Sequence, residues 1–242
     1  MVERPKVVFI TQARMGSTRL PGKVMKNVLG ESVLSWFLRR ALRCSSVSSV
    51  CVATTENPSD NPIEENVISR FPMIHVVRGS EEDVLSRYML AAEVTEADVI
   101  VRVTSDCPFF DWNLVDCCVQ RLIRIGSDAV RTLRSDFPIG LDVEVFSRRT
   151  LEIAAENATE PFEREHVGPY IYQTHSSKFH IEWVKNTDKP WPKCRLTLDF
   201  PEDYLLVEKL YNEVGPEASA EMYRIFLESH PEIANINTMR AH

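Results

Sequence analysis

The sequence contains no apolar run long enough to cross a membrane, since no stretch approaches the roughly 18 residues that such a helix needs. Its N-terminus, MVERPKVVFI, lacks the apolar region and cleavage site of a signal peptide. The six cysteines form no C-x-x-C pair, and a chain of 242 residues is too large to need disulfides. These absences predict a cytoplasmic protein with reduced thiols and no membrane partner.

The chain also lacks an excess of basic residues. Its 28 Lys and Arg residues against 35 Asp and Glu residues give a net charge of -7 at pH 7. Nucleic-acid binding requires a concentrated basic surface, so we expect no nucleic-acid partner. A basic pocket inside an acidic protein is compatible with this balance, and a small anionic substrate would need one.

Strand-like and helix-like segments alternate through the first half of the chain. Runs of β-branched and aromatic residues predict strands at residues 7–10, 50–53, 74–77 and 99–103. Apolar residues at helical spacing predict helices after Ser32 and at residues 64–71 and 83–94. This alternation predicts an α/β fold with a mostly parallel central sheet and helices on both faces.

The second half of the chain is less regular. Strands are predicted at residues 143–146, 180–184 and 196–199, and helices at residues 150–156, 163–173, 202–211 and 220–228. No internal repeat, low-complexity tract or linker divides the chain, so residues 1–242 are predicted to form one domain. The piece from about residue 133 to 192 is expected to project from the sheet as an α+β excursion.

A basic loop, TQARMGSTRLPGK at residues 11–23, follows the first predicted strand. It contains Arg14, Arg19 and Lys23 and no acidic residue. Glycines let backbone N–H groups approach an anion, arginines add bidentate donors, and lysine adds a compact charge. A solvated basic loop is the alternative interpretation. The position at the carboxyl end of a strand favours a phosphate site.

Two common phosphate-binding motifs are absent. A Walker A loop has four residues between its first glycine and Gly-Lys, and Ser or Thr follows the lysine. Here five residues separate Gly16 from Gly22, and Val24 follows Lys23. The dinucleotide pattern G-x-G-x-x-G is missing as well. P-loop and NAD-dependent enzymes are therefore disfavoured.

The stretch A-R-x-G-S-T-R-L-P-G-K at residues 13–23 resembles the opening motif of the cytidylyltransferases that make CMP-activated sugar acids. The resemblance is closest to the spore coat polysaccharide biosynthesis protein F branch, and weaker matches extend to about residue 211. It implies a nucleotide-diphospho-sugar transferase fold in which Arg14, Arg19 and Lys23 grip the triphosphate of CTP. The other nucleotide-binding residues that we predict are Ala13, Gly16, Ser17, Thr18, Thr54, Ser80 and Asp83.

Two aspartates are candidate magnesium ligands. Asp106 follows the strand at residues 99–103, and Mg²⁺ usually takes one or two protein carboxylates together with substrate phosphates. A turn-forming role is the alternative for Asp106, whereas Asp111 is better explained as a helix N-cap. Asp199 lies in a stretch similar to the family's D-x-P-E-D, where the first aspartate binds metal. Asp203 is carried over more weakly, since acids in a first helical turn also complement the helix dipole.

Four residues in the second half are predicted to contact the acceptor. Asp142 and Glu144 share one side of a predicted strand, and His166 and Tyr170 are four residues apart on a predicted helix. The resemblance places the acceptor pocket near residues 140–146. Residues 164–170 match the same branch, so His166 is a candidate general base or substrate contact. Ordinary exposed acids and a packed or interfacial histidine are the alternatives. Ser80 and Asp83 also fit a capping box, and the role of Arg102 stays open.

The residues and the resemblance together predict an enzyme that transfers CMP from CTP to a sugar or sugar acid, with release of pyrophosphate, for cell-surface polysaccharide biosynthesis. Magnesium on Asp106 and Asp199 is the expected cofactor. A nine-carbon 2-keto acid is the leading acceptor, and Ser-Asp-Cys-Pro in place of a Gly-Asp-Glu-Pro sequence disfavours Kdo itself. The resemblance also implies a homodimer formed through the excursion. The alternatives are a sugar-1-phosphate nucleotidyltransferase that uses another nucleotide and a non-catalytic nucleotide-binding module.

Overall fold

All but one of the strands in the seven-stranded central sheet point in the same direction. The structure is a computed structural model that describes residues 4–187 and 189–240. Its strands are β1 (Val7–Gln12), β2 (Asn27–Val28), β3 (Glu31–Ser32), β4 (Ser49–Thr55), β5 (His75–Gly79), β6 (Val99–Arg102), β7 (Ala129–Thr132), β8 (Glu144–Ser147) and β9 (Ile181–Val184). The sheet order is β5-β4-β1-β6-β8-β7-β9, and β8 is the antiparallel strand, whereas β2 and β3 form a separate hairpin.

Helices cover both faces of this sheet, as the sequence predicts. They are α1 (Val33–Ala41), α2 (Asn61–Arg70), α3 (Val84–Val94), α4 (Trp112–Ile125), α5 (Arg148–Asn157), α6 (Pro161–His166), α7 (Pro201–Glu213), α8 (Ala220–Ser229) and α9 (Pro231–Ala234). One apolar core lies between the sheet and α1, α2 and α4, and a second lies between the opposite face and α3 and α5. No helix of the described residues has both the length and the apolar character to cross a membrane.

Helix starts follow the capping residues in the sequence. The side chains of Ser32, Asp83 and Asp111 accept hydrogen bonds from backbone N–H groups in the first turns of α1, α3 and α4. Such caps satisfy donors that the helix itself leaves unpaired. The predicted cap at Asp111 is confirmed, and its second oxygen also accepts from the backbone N–H of Ala220, at the start of α8.

The parallel strands β5, β4, β1 and β6 lie side by side. Their carboxyl ends therefore open on one edge of the sheet, where ligands bind in folds of this kind. The loops that follow β1, β5 and β6 meet at this edge. This arrangement brings the basic loop, residues 11–23, next to the segment that carries Asp106.

The second half differs from prediction in three places. Residues 133–192, expected to project from the sheet, supply β8 and β9 to it. The helix predicted at residues 163–173 is interrupted, because α6 ends at His166 and Val167 has a φ of 66° before Gly168 and Pro169. The strand predicted at residues 196–199 is wrong: its amides donate to two separate segments, Leu196 to the Ile139 carbonyl and Leu198 to the Asp106 carbonyl, so no continuous ladder forms.

Candidate active site

A cleft of about 810 Å³ lies at the carboxyl edge of the parallel strands, within the range typical of small-molecule sites. Its walls come from the β1 loop, the start of α3, the end of β6, α6 and Asp199, two residues before α7. The residues that the sequence predicts and that line this cleft are Ala13, Arg14, Gly16, Ser17, Thr18, Arg19, Lys23, Ser80, Asp83, Asp106, His166 and Asp199.

Lys23 joins the two aspartates at the floor of the cleft. Its ammonium nitrogen lies 2.7 Å from Oδ2 of Asp106 and 2.9 Å from Oδ1 of Asp199. Gly22, at a φ of 64°, adopts the left-handed conformation that leads into the short 3₁₀ turn beginning at Lys23. The turn aims the lysine at carboxylates that lie 83 and 176 residues away in the chain.

The three charges at this point stabilise one another. Burial by itself lowers the pKa of Lys23, but the carboxylates of Asp106 and Asp199 raise it above its ordinary value. Burial likewise raises the pKa of Asp106, yet the Lys23 ammonium and a hydrogen bond from Thr104 hold it below its ordinary value. Both side chains are therefore ionised at neutral pH.

Arginines complete the surroundings of Asp199. Arg195 Nη2 donates to its Oδ2 at 2.9 Å, and Arg19 Nη2 lies 3.9 Å from its Oδ1. The guanidinium of Arg19 also stacks over the Phe200 ring, with its central carbon 5.0 Å from the ring centre. Arg19 is mostly exposed and faces the cleft. It is placed to meet an anion that enters beside Asp199.

Asp203 has a structural role rather than a ligand role. Its Oδ2 accepts hydrogen bonds from the backbone N–H groups of Asp199 and Phe200 at 2.9 and 3.0 Å. Its Oδ1 accepts from the side-chain amide of Asn237. The buried carboxylate thereby orients the turn that presents Asp199, so the weak assignment of Asp203 as a metal ligand is not supported.

The basic loop is anchored by Asp60, a residue that the sequence does not reveal. Its buried carboxylate accepts from the backbone N–H of Met15 at 2.6 Å and from the hydroxyl of Thr55. The Met15 carbonyl in turn accepts from the N–H groups of Ser17 and Gly22 at 2.9 and 3.1 Å. Asp60 therefore closes the loop. The sequence places Asp60 only in a predicted loop at residues 54–62, rich in Asn, Ser and Pro.

Ser80 and Asp83 act as caps at the rim of the cleft. The Ser80 hydroxyl accepts from the N–H of Asp83, and Asp83 accepts from the N–H of Ser86 at the start of α3. The second oxygen of Asp83 lies 2.6 Å from Nη2 of Arg164, which ties α3 to α6. On the same rim, Arg14 lies 3.4 Å from Glu81. The nucleotide roles predicted for Ser80 and Asp83 stay predictions.

Four predicted site residues lie outside the cleft, and these assignments need correction. Thr54 is fully buried because β4 continues through Thr55, so the predicted loop begins later. Tyr170 is buried against the sheet and stacks on His175, because the helix break at Val167 removes it from the face of His166. Asp142 and Glu144 are held in ion pairs with arginines instead of facing an acceptor, as their partners are Arg134, Arg131 and Arg102.

The cleft is thus basic along one strand-to-helix loop and carries two carboxylates at its floor. A family model described as cytidylyltransferase matches residues 8–231. The chain belongs to the cytidylyltransferase family. The resemblance seen in residues 13–23 is therefore confirmed.

Two similar proteins show which members of the family this cytidylyltransferase resembles. It is 33% identical over 236 residues to the spore coat polysaccharide biosynthesis protein SpsF of Bacillus subtilis, covering 94% of this chain and 96% of the relative. A cytidylyltransferase structure from Leptospira borgpetersenii matches with a TM-score of 0.89 and 31% identity, covering 96% of this chain and 97% of that one.

The fold is shared more widely. A CMP:2-keto-3-deoxy-manno-octonic acid synthetase complexed with CTP matches with a TM-score of 0.68 and 18% identity, covering 86% of this cytidylyltransferase and 99% of that chain. At this identity the likeness shows the fold alone. The predicted nucleotide-diphospho-sugar transferase architecture is confirmed.

Proposed function

We propose that this cytidylyltransferase transfers CMP from CTP to the hydroxyl of a 2-keto sugar acid and releases pyrophosphate. The observation that carries the proposal is the arrangement of Lys23 between Asp106 and Asp199 at the floor of a cleft whose loop adds Arg14 and Arg19. Cations beside paired carboxylates suit a magnesium-bound triphosphate, because both the phosphates and the metal then find partners of opposite charge.

The two carboxylates suit a magnesium ion. No cluster of three or more His, Cys, Asp or Glu side chains in the described part of the chain is arranged to hold a metal by itself. Magnesium does not need one, since it is commonly held by one or two carboxylates plus substrate phosphates and water. Asp106 and Asp199 both contact the single Lys23 ammonium, so their oxygens already face one cation-sized position. They would hold the ion, which would supply charge stabilisation to the phosphates.

The side chains of the cleft then have separate tasks in the reaction. The acceptor oxygen forms a bond to the α-phosphorus of CTP while the bond to the pyrophosphate oxygen breaks. Lys23 and Arg19 stabilise the negative charge that builds up on the phosphates and on the leaving pyrophosphate. Arg14, on the rim, neutralises further phosphate charge. The chain thus contributes positioning and electrostatics to the transfer.

The neighbouring thiol takes no part in this chemistry. Cys107 is buried, and burial together with the Asp106 carboxylate raises its pKa well above the ordinary value. A protonated thiol is a poor nucleophile. A direct transfer without a covalent enzyme intermediate therefore fits the site.

Two observations support a sugar as the acceptor class. SpsF, a relative that is matched over nearly its whole length, is described as a polysaccharide biosynthesis protein. His166, at the end of α6, lines the cleft together with Arg164 and Glu165, so this part of the cleft wall is polar. A polar wall suits a hydroxylated acceptor, and we place His166 among its contacts.

The test is a pyrophosphate-release assay with CTP, UTP, dTTP, ATP and GTP against a panel of 2-keto sugar acids and sugar 1-phosphates. We expect release with CTP and at least one 2-keto sugar acid. Release with UTP or dTTP and a sugar 1-phosphate, but not with CTP, would overturn the proposal. Binding of CTP without turnover on any acceptor would identify a nucleotide-binding module instead.

Matched variants locate the activity in this cleft. Arg19→Ala and Asp106→Ala should each lower kcat by about 10²- to 10³-fold, as expected for loss of a group that stabilises transition-state charge. The controls are Arg121→Ala, whose side chain pairs with Glu182, and Asp116→Ala, whose carboxylate accepts from Ser45 and Ser46. Both lie outside the cleft and should keep full turnover. Full activity of both cleft variants would show that the site is elsewhere.

A further inference from the structure

Arg102 is a cleft cation that the β1 loop does not supply. It ends strand β6, four residues before Asp106, and is paired in register with Ile10 of β1 and Glu144 of β8. The residue is 9% exposed, and it lines the cleft. Its guanidinium therefore contributes to the cleft from β6, whereas Arg14, Arg19 and Lys23 all come from the β1 loop.

The hydrogen bonds of Arg102 are incomplete. Its Nη1 donates to Oε2 of Glu144 at 2.7 Å. Its Nε is buried and makes no hydrogen bond within the described residues. The Tyr88 ring packs against it, with the guanidinium carbon 5.7 Å from the ring centre. A guanidinium has five N–H donors, so the Glu144 contact leaves capacity for a further anion.

The surrounding charges also leave Arg102 short of negative partners. The Glu144 carboxylate is shared, since its other oxygen lies 3.6 Å from Nη2 of the buried Arg131. The neighbouring Asp142 lies 3.7 Å from Arg131 and 3.0 Å from the exposed Arg134. Glu144 is thus the ion-pair partner of two buried guanidinium groups, those of Arg102 and Arg131. Buried charges are costly unless they are paired, so a second anion at Arg102 would be stabilising.

Gln12 supplies a donor beside this position. It ends β1, lines the cleft and lies two residues beyond Ile10, the register partner of Arg102, so its side chain is on the same face of the sheet. The hydroxyl of Tyr88 donates to the Gln12 side-chain oxygen. The Gln12 amide therefore has its N–H₂ group left for a ligand, and that group can only donate.

We propose that Arg102 and Gln12 form the subsite that binds the carboxylate of the acceptor, with Glu144 positioning the guanidinium. A planar carboxylate matches the arginine fork and accepts from the amide N–H₂ group. The triphosphate has its own cations on the β1 loop. This inference rests on the proposed function, because it assigns the acid group of the sugar acid. It also gives Glu144 an indirect role in place of the direct contact that the sequence suggested.

Binding measurements test the subsite without requiring turnover. Ligand-observed NMR would follow pyruvate, the smallest 2-keto acid, and N-acetylneuraminate in the presence of Mg²⁺ and the α,β-methylene analogue of CTP. Pyruvamide is the neutral control. We expect wild-type protein to bind both acids and to prefer pyruvate over pyruvamide. Failure of wild-type protein to bind either acid would overturn the assignment.

Arg102→Gln should weaken binding of the acids by about 10- to 100-fold, as expected for a charge-assisted hydrogen bond, and should remove the preference over pyruvamide. Affinity for the CTP analogue should change less than about twofold, because the β1 loop is intact. An equal loss of analogue affinity would instead assign Arg102 to the nucleotide. Arg134→Gln, which removes an arginine from the same charge network outside the cleft, should bind the acids as wild type does.

Two further variants separate a ligand role from a purely structural ion pair. Arg102→Lys keeps the charge but loses the fork, so it should bind the acids with intermediate affinity and guard against a folding defect in Arg102→Gln. Glu144→Gln removes the negative charge of the same ion pair but keeps a side-chain oxygen that can accept from Nη1 of Arg102, so the guanidinium should stay in position. This variant should bind the acids at least as tightly as wild type, because the remaining anion is the ligand. Equal losses in Glu144→Gln and Arg102→Gln would show that the pair is only structural.

The failure of this inference is distinguishable from failure of the proposed function. Arg102-dependent binding of the acids, with no pyrophosphate released from CTP by any sugar acid, would sink the proposed function and leave the carboxylate subsite. Turnover of a sugar acid with a KM that Arg102→Gln leaves unchanged would sink the subsite and leave the proposed function.

Discussion

Replacing Lys23 by Met tests the charge arrangement on which the proposed site depends. The change keeps most of the length of the side chain but removes the ammonium group that lies within 2.9 Å of both Asp106 and Asp199. The two carboxylates are left facing each other without their shared cation. Like charges that are close together and partly buried repel each other, so the folded state should lose stability.

The size of the loss follows from burial. Removing one partner of a fully buried ion pair costs about 3–5 kcal/mol. The side chains of Lys23, Asp106 and Asp199 are 14%, 27% and 18% exposed, so water screens part of this interaction. We therefore expect a loss of about 2–3 kcal/mol, which lowers Tm by about 5–10 °C in a chain of this size.

Magnesium should reverse much of this effect. In wild type, an ion held by Asp106 and Asp199 has to compete with the Lys23 ammonium for the two carboxylates. In Lys23→Met this competition is absent, so added Mg²⁺ should raise Tm more in the variant than in wild type. Turnover should still fall by about 10²- to 10³-fold, because Mg²⁺ does not replace the lysine at the phosphates. Lys209→Met, which removes an exposed lysine paired with Glu213, is the control and should leave Tm nearly unchanged.

The contribution of the Lys23 and Asp106 ion pair to stability should depend on pH. The pKa of Asp106 is lowered in the folded state, so its contribution is present above its ordinary pKa and is lost as the pH falls through the lowered value. The pKa of Lys23 is raised, so its contribution is present below its ordinary pKa and is lost as the pH rises through the raised value. The stability difference between wild type and Lys23→Met should be greatest near neutrality. Equal Tm values for the two proteins at pH 7, or equal responses to Mg²⁺, would refute the reasoning.

Three further outcomes are expected. Asp60→Asn should raise KM for CTP by about 10-fold, because the hydrogen bond from the Met15 N–H to residue 60 loses its charged acceptor and the basic loop is held less firmly. A fall in kcat with unchanged KM would contradict a loop-positioning role. Gly140→Ala should lower the free energy of unfolding by about 3 kcal/mol or more in chemical denaturation, since Gly140 has a φ of 106° and a Cβ there would lie 2.2 Å from the Leu196 backbone. A change below about 1 kcal/mol, the average effect of a point substitution, would contradict the packing. An aromatic disulfide reagent at pH 8 should quickly modify only the exposed thiol of Cys117 in the folded protein, because the other five cysteines are buried. All six thiols should react after denaturation, and rapid modification of two or more thiols in the folded protein would contradict this burial.

A buried arginine of α1 connects the segment before α8 to the loop that carries part of the site. Arg40 is fully buried and donates to the carbonyl oxygens of Phe109, Phe110, Pro216 and Ala218. A charged donor of this kind, bonded to backbone acceptors from two distant segments, joins the loop after β6 to the entry of α8. The same loop carries Asp106, so this bonding also helps to fix the floor of the cleft.

Local pattern alone was enough to predict much of the architecture. Alternating apolar strands and amphipathic helices in the first half appear in the structure with boundaries shifted by a few residues, because buried strands and one-sided helices leave strong periodic patterns. The basic loop at residues 13–23 was equally visible, since its glycines and cations are contiguous in sequence. Asp106 was indicated by its position just past a strand and supported by the family resemblance, whereas Asp199 was assigned through the resemblance alone.

Tertiary structure decided the features that depend on distant partners. The strand expected at residues 196–199 failed because its amides find two different acceptors, and the role of Asp60 depends on the backbone of Met15, 45 residues earlier. Glu144 resembles an exposed acid in sequence, yet it is buried opposite Arg102. Periodicity records which face of an element is apolar. It does not show which charged side chains from separate elements come into contact, and those contacts form the site.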